Sequence, residues 1–102
     1  MIAKEEFLIM KPTCYLVNTA RAALICKESL KEALLEKRIA GIAMDGFWEE
    51  PPQEGEELLS YENFLITPHV GWSSVETRCL LLELLTKRIQ DFLEGKPIHR
   101  LA

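Results

Sequence analysis

The chain of 102 residues is poor in the groups that build metal centres and covalent frameworks, with three cysteines and two histidines. Cys14, Cys26 and Cys79 are odd in number and lack C-x-x-C spacing, so neither a disulfide scaffold nor a zinc site is expected. They read as reduced thiols at core or boundary positions. Long apolar runs are also missing: none approaches the ~20 residues that cross a bilayer. The opening stretch MIAKEEFLIMK carries acids where a signal peptide carries bases. The expectation is a cytoplasmic protein with no membrane partner. Positive charge is in deficit, 12 Lys and Arg against 16 Asp and Glu, which removes the electrostatic basis for holding a nucleic-acid backbone. Neither G-x-S-x-G nor G-x-x-x-x-G-K-[ST] occurs, so a serine-hydrolase elbow and a nucleotide P-loop are both excluded.

What is present is apolar enough to fold. Hydrophobic residues make up 48% of the chain, too many for a disordered segment. The length suits one domain at most. The net charge of −4 is local: residues 49–62 hold six Glu and no Lys or Arg, and read as a solvated loop.

The order of elements alternates strand and helix. Residues 3–10 fit a short helix stopped by Pro12, and residues 15–17 a short buried strand ending at Asn18. Residues 27–37 fit a helix with Leu30, Ala33 and Leu34 on one face and Cys26 as a poor N-cap. Residues 39–44 are apolar without alternation, as in a parallel strand covered on both faces. Gly41 there is expected to admit a close helix. A long acidic loop spans 46–62, and residues 64–66 form a third strand. Ser73 with Glu76 has the form of a capping box opening a helix that runs to about Leu93, before Gly95 and Pro97. Its two apolar stripes, one with Val75, Cys79, Leu82, Ile89 and Phe92 and one with Leu81, Leu84 and Leu85, predict burial on two sides. The covering surface would be another part of a larger domain or a second subunit.

If the three strands are parallel, each ends in a polar cluster at the edge where open α/β sheets bind ligands. Arg21, Glu50 and His69 are thereby expected in one cleft. Arginine grips a carboxylate through two parallel hydrogen bonds. Histidine carries protons near neutral pH, and a neighbouring carboxylate orients its ring. Together they suit a substrate with a carboxylate and a carbonyl, with hydride supplied by a cofactor. Each also has a plainer reading: His69 as a structural hydrogen bonder in its turn, Arg21 as a cap, Glu50 as a solvated surface acid. A Cys14 or Cys79 nucleophile with His69 is a weaker option, since nothing locates a thiol beside it.

V-N-T-A-R at 17–21, D-G-F-W-E-E-P at 45–51 and T-P-H-V-G-W at 67–72 resemble the NAD-dependent D-isomer-specific 2-hydroxyacid dehydrogenases. S-L-K-E-A-L, I-A-G-I-A-M-D and F-L-E-G-K-P extend the likeness along nearly the whole chain. Gly71-Trp72 and Glu76-Thr77-Arg78 resemble the glycerate dehydrogenase or hydroxypyruvate reductase branch. The resemblance implies an α/β fold: part of a Rossmann-like parallel sheet flanked by helices, ending in a long C-terminal helix. It implies roles as well. Arg21 would bind the substrate carboxylate and carbonyl, Glu50 would partner the histidine, and His69 would be the acid/base. Asp45 would contact the nicotinamide carboxamide. Asn18, Thr19, Ala20 and the segment from His69 to Gly71 would wall the nicotinamide. The implied cofactor is NAD, with the residue that selects NADP not among these motifs. The implied substrate is a small 2-keto or 2-hydroxy acid.

Three residues depart from the family pattern: Ala22 and Gly46 replace a usual Gly and Val, and Cys26 replaces a capping Asp. A larger departure is that no G-x-G-x-x-G occurs, so the pyrophosphate loop is missing. The expectation is the C-terminal portion of a cofactor domain, inactive by itself and prone to pair with another copy through its open edge and apolar faces. A non-catalytic, self-associating module on the same scaffold is the alternative.

Overall fold

The computed structural model describes residues 1–96. Residues 1–71 form one compact body, and the chain from Trp72 onward forms a second.

In the first body, three parallel strands, β1 (Tyr15–Asn18), β2 (Gly41–Asp45) and β3 (Phe64–Thr67), lie in the order β1-β2-β3. Tyr15 pairs with Gly41 and Asn18 with Met44; Ile42 pairs with Phe64 and Asp45 with Thr67. The helix α1 (Lys4–Ile9) precedes β1, and α2 (Lys27–Leu35) connects β1 to β2. A parallel pair needs such a crossover. The α/β architecture expected from the alternating pattern is the one present.

Period 3.6 decides what α2 buries. Leu30, Ala33 and Leu34 are its buried residues, the three expected from their spacing. They join Phe7, Ile25, Ile39, Ile42, Met44, Phe47, Leu58 and Phe64 in the core. The ion pair Lys4–Glu32 at 2.6 Å ties α1 to α2. Cys26 occupies the N-cap of α2 with no side-chain cap bond, as its chemistry predicts. The helix closes two residues earlier than expected. Lys37 turns to φ 55° and the Arg38 amide donates to the Ala33 carbonyl, which ends the helical ladder.

Every residue of β2 except Ala43 is buried, as its apolar run suggested, while Tyr15, Val17 and Leu65 on the flanking strands are 76%, 66% and 64% exposed. Gly41 does not admit a helix, contrary to expectation. A Cβ there would stand 2.9 Å from the Asn63 carbonyl oxygen and 3.3 Å from the Tyr15 ring, so the close neighbours are a loop and the adjacent strand.

The acidic stretch is also more ordered than a solvated loop. Phe47 and Leu58 are buried within it, and a short 3-10 helix spans Glu57–Ser60. The bases it lacks come from α2: Lys27 pairs with Glu56 at 2.7 Å and Lys31 pairs with Glu57. The Lys27 ammonium also lies 5.0 Å from the Phe47 ring centre and 5.8 Å from that of Trp48.

In the second body, α3 runs Val75–Leu93. Its N-cap is Ser74, whose hydroxyl accepts from the Thr77 amide at 3.2 Å, one residue later than the expected Ser73. Both serines have a polar residue three places on, and the capping oxygen belongs to the second. Gly95 follows the helix at φ 68°, where a left-handed terminator is needed; Pro97 lies outside the described residues. None of the α3 residues is buried, so the two-sided burial predicted by its stripes is not met within the described residues.

Candidate active site

The three strand exits meet at one edge, and side-chain turns shape each of them. At the end of β1, the Asn18 Oδ1 accepts from the Ala20 amide at 3.0 Å and its Nδ2 donates to the Arg21 carbonyl at 2.8 Å. This Asx-type turn is what asparagine forms after a strand. It leaves Thr19 exposed at the bend and Arg21 exposed at the start of the 3-10 turn Ala22–Leu24. The Arg21 Nη1 donates to the Ala20 carbonyl at 2.6 Å and stands 3.5 Å from the His69 Nε2.

At the end of β2, Asp45 is buried, and it is held by the chain that leaves β3. Its Oδ1 accepts from the Thr67 hydroxyl at 2.6 Å and the Val70 amide at 2.9 Å, and its Oδ2 accepts from the Gly71 amide at 2.8 Å. The Thr67 hydroxyl, then the Gly71 amide, hold the Asp45 carboxyl below the usual carboxylate range. Gly71 is required by this approach, since a Cβ there would stand 2.8 Å from the Asp45 Oδ2.

His69 rides on the same turn. Its amide donates to the Thr67 carbonyl at 2.8 Å and its backbone takes φ 57°. The His69 Nδ1 lies 3.0 Å from both Glu50 carboxylate oxygens. Glu50 is placed in turn by the Phe47 amide, which donates to its Oε1 at 2.9 Å. His69, then that amide, hold the Glu50 carboxyl below its ordinary value. The loop bearing Glu50 is anchored by the Trp48 indole, which donates to the Ile25 carbonyl at 3.0 Å.

Arg21, Glu50 and His69 are therefore neighbours, drawn from three strand exits. The other candidates, Asn18, Thr19, Ala20, Asp45 and Gly71, line the same edge. Asn18, Asp45 and Gly71 carry hydrogen bonds within the scaffold. The Cys26 Sγ faces the Glu28 carboxylate at 3.8 Å. Among the described residues no group of three His, Cys, Asp or Glu could hold a metal ion. Sequence reasoning missed the bond from Thr67 to Asp45, the closeness of Gly46 to Glu50, and the Phe47 amide. Thr67 stood in the T-P-H motif and Gly46 among the departures, but neither position showed its partner.

A parallel α/β sheet with helices and a long terminal helix defines a Rossmann-like domain, and the comparisons agree. Residues 1–71 match the family model for the D-isomer specific 2-hydroxyacid dehydrogenase, NAD binding domain, and the chain belongs to that family. It is 36% identical over 99 residues to a glycerate dehydrogenase of Methylorubrum extorquens, covering 95% of this chain and 32% of the relative. It is 41% identical over 96 residues to a glyoxylate reductase of Pyrococcus furiosus, covering 94% and 28%. Among solved structures, an NADPH-dependent glyoxylate/hydroxypyruvate reductase from Sinorhizobium meliloti matches with a TM-score of 0.77 at 28% identity, over 99% of this chain and 32% of that one. A D-mandelate dehydrogenase of Rhodotorula graminis matches with a TM-score of 0.76 at 31% identity, over 99% and 29%. The chain thus spans less than a third of the length of these relatives.

Proposed function

We propose that this chain is the C-terminal portion of the cofactor domain of an oxidoreductase that interconverts a small 2-keto acid and its D-2-hydroxy acid. Arg21, Glu50 and His69 are its catalytic residues. The observation that carries the reading is the His69 ring, with Glu50 at 3.0 Å from Nδ1 and Arg21 at 3.5 Å from Nε2. A ring bearing hydrogen on Nδ1 donates to Glu50 and leaves Nε2 as an acceptor toward Arg21. A substrate entering between Arg21 and His69 would have its carboxylate held by the guanidinium. Its 2-keto oxygen would face Nε2. The protonated ring delivers its Nε2 proton to that oxygen as the carbonyl is reduced, and Glu50 stabilises the imidazolium beforehand.

The residues present suit the nicotinamide end of NAD or NADP. A carboxylate offers about four lone-pair positions. Among the described residues, Asp45 accepts two hydrogen bonds on Oδ1 and one on Oδ2, which would leave one position on Oδ2 for a carboxamide N–H. When bound, the nicotinamide would supply the hydride. Asn18, Thr19, Ala20 and the backbone from His69 to Gly71 would border its ring. A dinucleotide loop is absent from this sequence, so the free chain is expected neither to hold the cofactor well nor to turn over.

The test is a chimera in which this chain replaces the matching segment of a glyoxylate reductase. With a reduced nicotinamide cofactor and glyoxylate or hydroxypyruvate, the chimera is expected to consume the cofactor's absorbance. His69→Asn should lower kcat by roughly 10²–10⁴-fold, the usual contribution of a positioned acid. Arg21→Gln should act on substrate capture and raise KM. Full activity in the His69→Asn chimera would remove the proposed role. Rapid turnover by the free chain would show that the dinucleotide loop is dispensable.

A further inference from the structure

We propose that Gly46 is a positioning residue: its missing side chain leaves the space in which Glu50 and His69 meet. This deepens the proposed function and rests on its pairing of these two residues. A Cβ at Gly46 would lie 2.5 Å from the Glu50 Oε1, 3.2 Å from the His69 Nδ1 and 3.3 Å from its Cγ. It would enter as a wedge against the flank of the contact, pressing hardest on the carboxylate oxygen, with Oε1 and Nδ1 themselves 3.0 Å apart.

The two sides are not equally able to yield. The His69 ring stands on a turn held by the Thr67 carbonyl and, two residues on, by the Asp45 carboxylate. Gly46 itself is fixed by its amide, which donates to the Thr67 carbonyl at 3.0 Å. Glu50 meets the wedge with the far end of a flexible side chain. The least costly relief is therefore for the Glu50 carboxylate to swing away. A swing of the whole carboxylate takes Oε1 from the Phe47 amide and both oxygens from the His69 Nδ1, from which each now stands at 3.0 Å.

The backbone supports the same assignment. Gly46 takes φ 100°, a conformation that side-chain-bearing residues rarely adopt.

Gly55 provides the control, since it also has positive φ, at 81°, with nothing within 4 Å of its Cβ position. Gly46→Ala and Gly55→Ala therefore share the backbone strain, and only the first adds the wedge. The readouts are the carboxyl titration of Glu50 and the Phe47 amide resonance, both by NMR on the full chain. Expected in Gly46→Ala is a rise of the Glu50 titration toward the ordinary glutamate value, with loss of the Phe47 shift that follows it. Gly55→Ala should keep the parent pattern. A folded Gly46→Ala chain with the parent's Glu50 titration would overturn the proposal.

A double-mutant cycle covers the case in which Gly46→Ala folds poorly. Glu50→Ala removes the group the wedge strikes, so Gly46→Ala should cost less stability in that background. An equal cost in both backgrounds, or no recovery of folding, would assign the effect to backbone strain alone and end the proposal. None of these readouts involves hydride transfer. Failure of the chimera's activity and failure of the Gly46 assignment are thus separate results.

Discussion

At the scale of single residues, the carboxylates of the chain carry most of its shifted acid–base chemistry, whether buried like Asp45 or exposed like Glu50. Asp45 is lowered by the Thr67 hydroxyl and the Gly71 amide, Glu50 by His69, Glu56 by Lys27 and Glu57 by Lys31. A carboxyl depressed in the folded state binds fewer protons there than in the unfolded chain. Its stabilisation is complete above the ordinary values of about 3.9 for Asp and 4.3 for Glu, and is lost as pH falls through the depressed ones. The melting temperature should therefore be level near pH 6 and fall progressively below about pH 4. Asp45→Asn should lower it at neutral pH and flatten the acid slope. A melting temperature unchanged from pH 6 to pH 2 would contradict this assignment of the carboxyls. That Arg21, Glu50 and His69 would be neighbours was legible from strand exits and motifs. The residues that hold them were not, because the bonds from Thr67 and Gly71 to Asp45 join two separate turns.

At the scale of elements, legibility follows the range of the forces. The buried face of α2 could be read because Leu30, Ala33 and Leu34 obey a local period. The order inside the acidic stretch could not, since its charges are answered by Lys27 and Lys31 far back along the chain. Leu58 is the apolar anchor of that stretch and is fully buried. Leu58→Ala should cost about 2–5 kcal/mol in urea unfolding, the range for a buried leucine truncated to alanine. It should also broaden the resonances of Phe47 and Glu50, whose loop it pins. An effect below about 0.5 kcal/mol would mean that the stretch is held by its ion pairs.

For the whole molecule, the alternation of strand and helix was enough to expect an α/β fold with a parallel sheet, but not the strand order that puts β2 in the centre. What covers the remaining apolar surface was not legible, because exposure depends on partners as well as on pattern. Tyr15, Val17 and Leu65 on the sheet, and Leu81, Leu82 and Leu85 on α3, are all more than half exposed. Such surfaces favour self-association. We expect light scattering to give a mass above that of one chain, rising with concentration. The pair Leu81→Glu and Leu85→Glu, one turn apart on α3, should lower it. A parent chain that stays monomeric at all concentrations would end the expectation of self-association.

The meeting of Arg21 with His69 spans 48 positions of sequence, and that of His69 with Glu50 spans 19. The Glu50–His69 contact needs β2 and β3 paired in register, whereas the Arg21–His69 contact needs β1 and its crossover as well. Displacing β1 would therefore silence one of the histidine's two neighbours and spare the other.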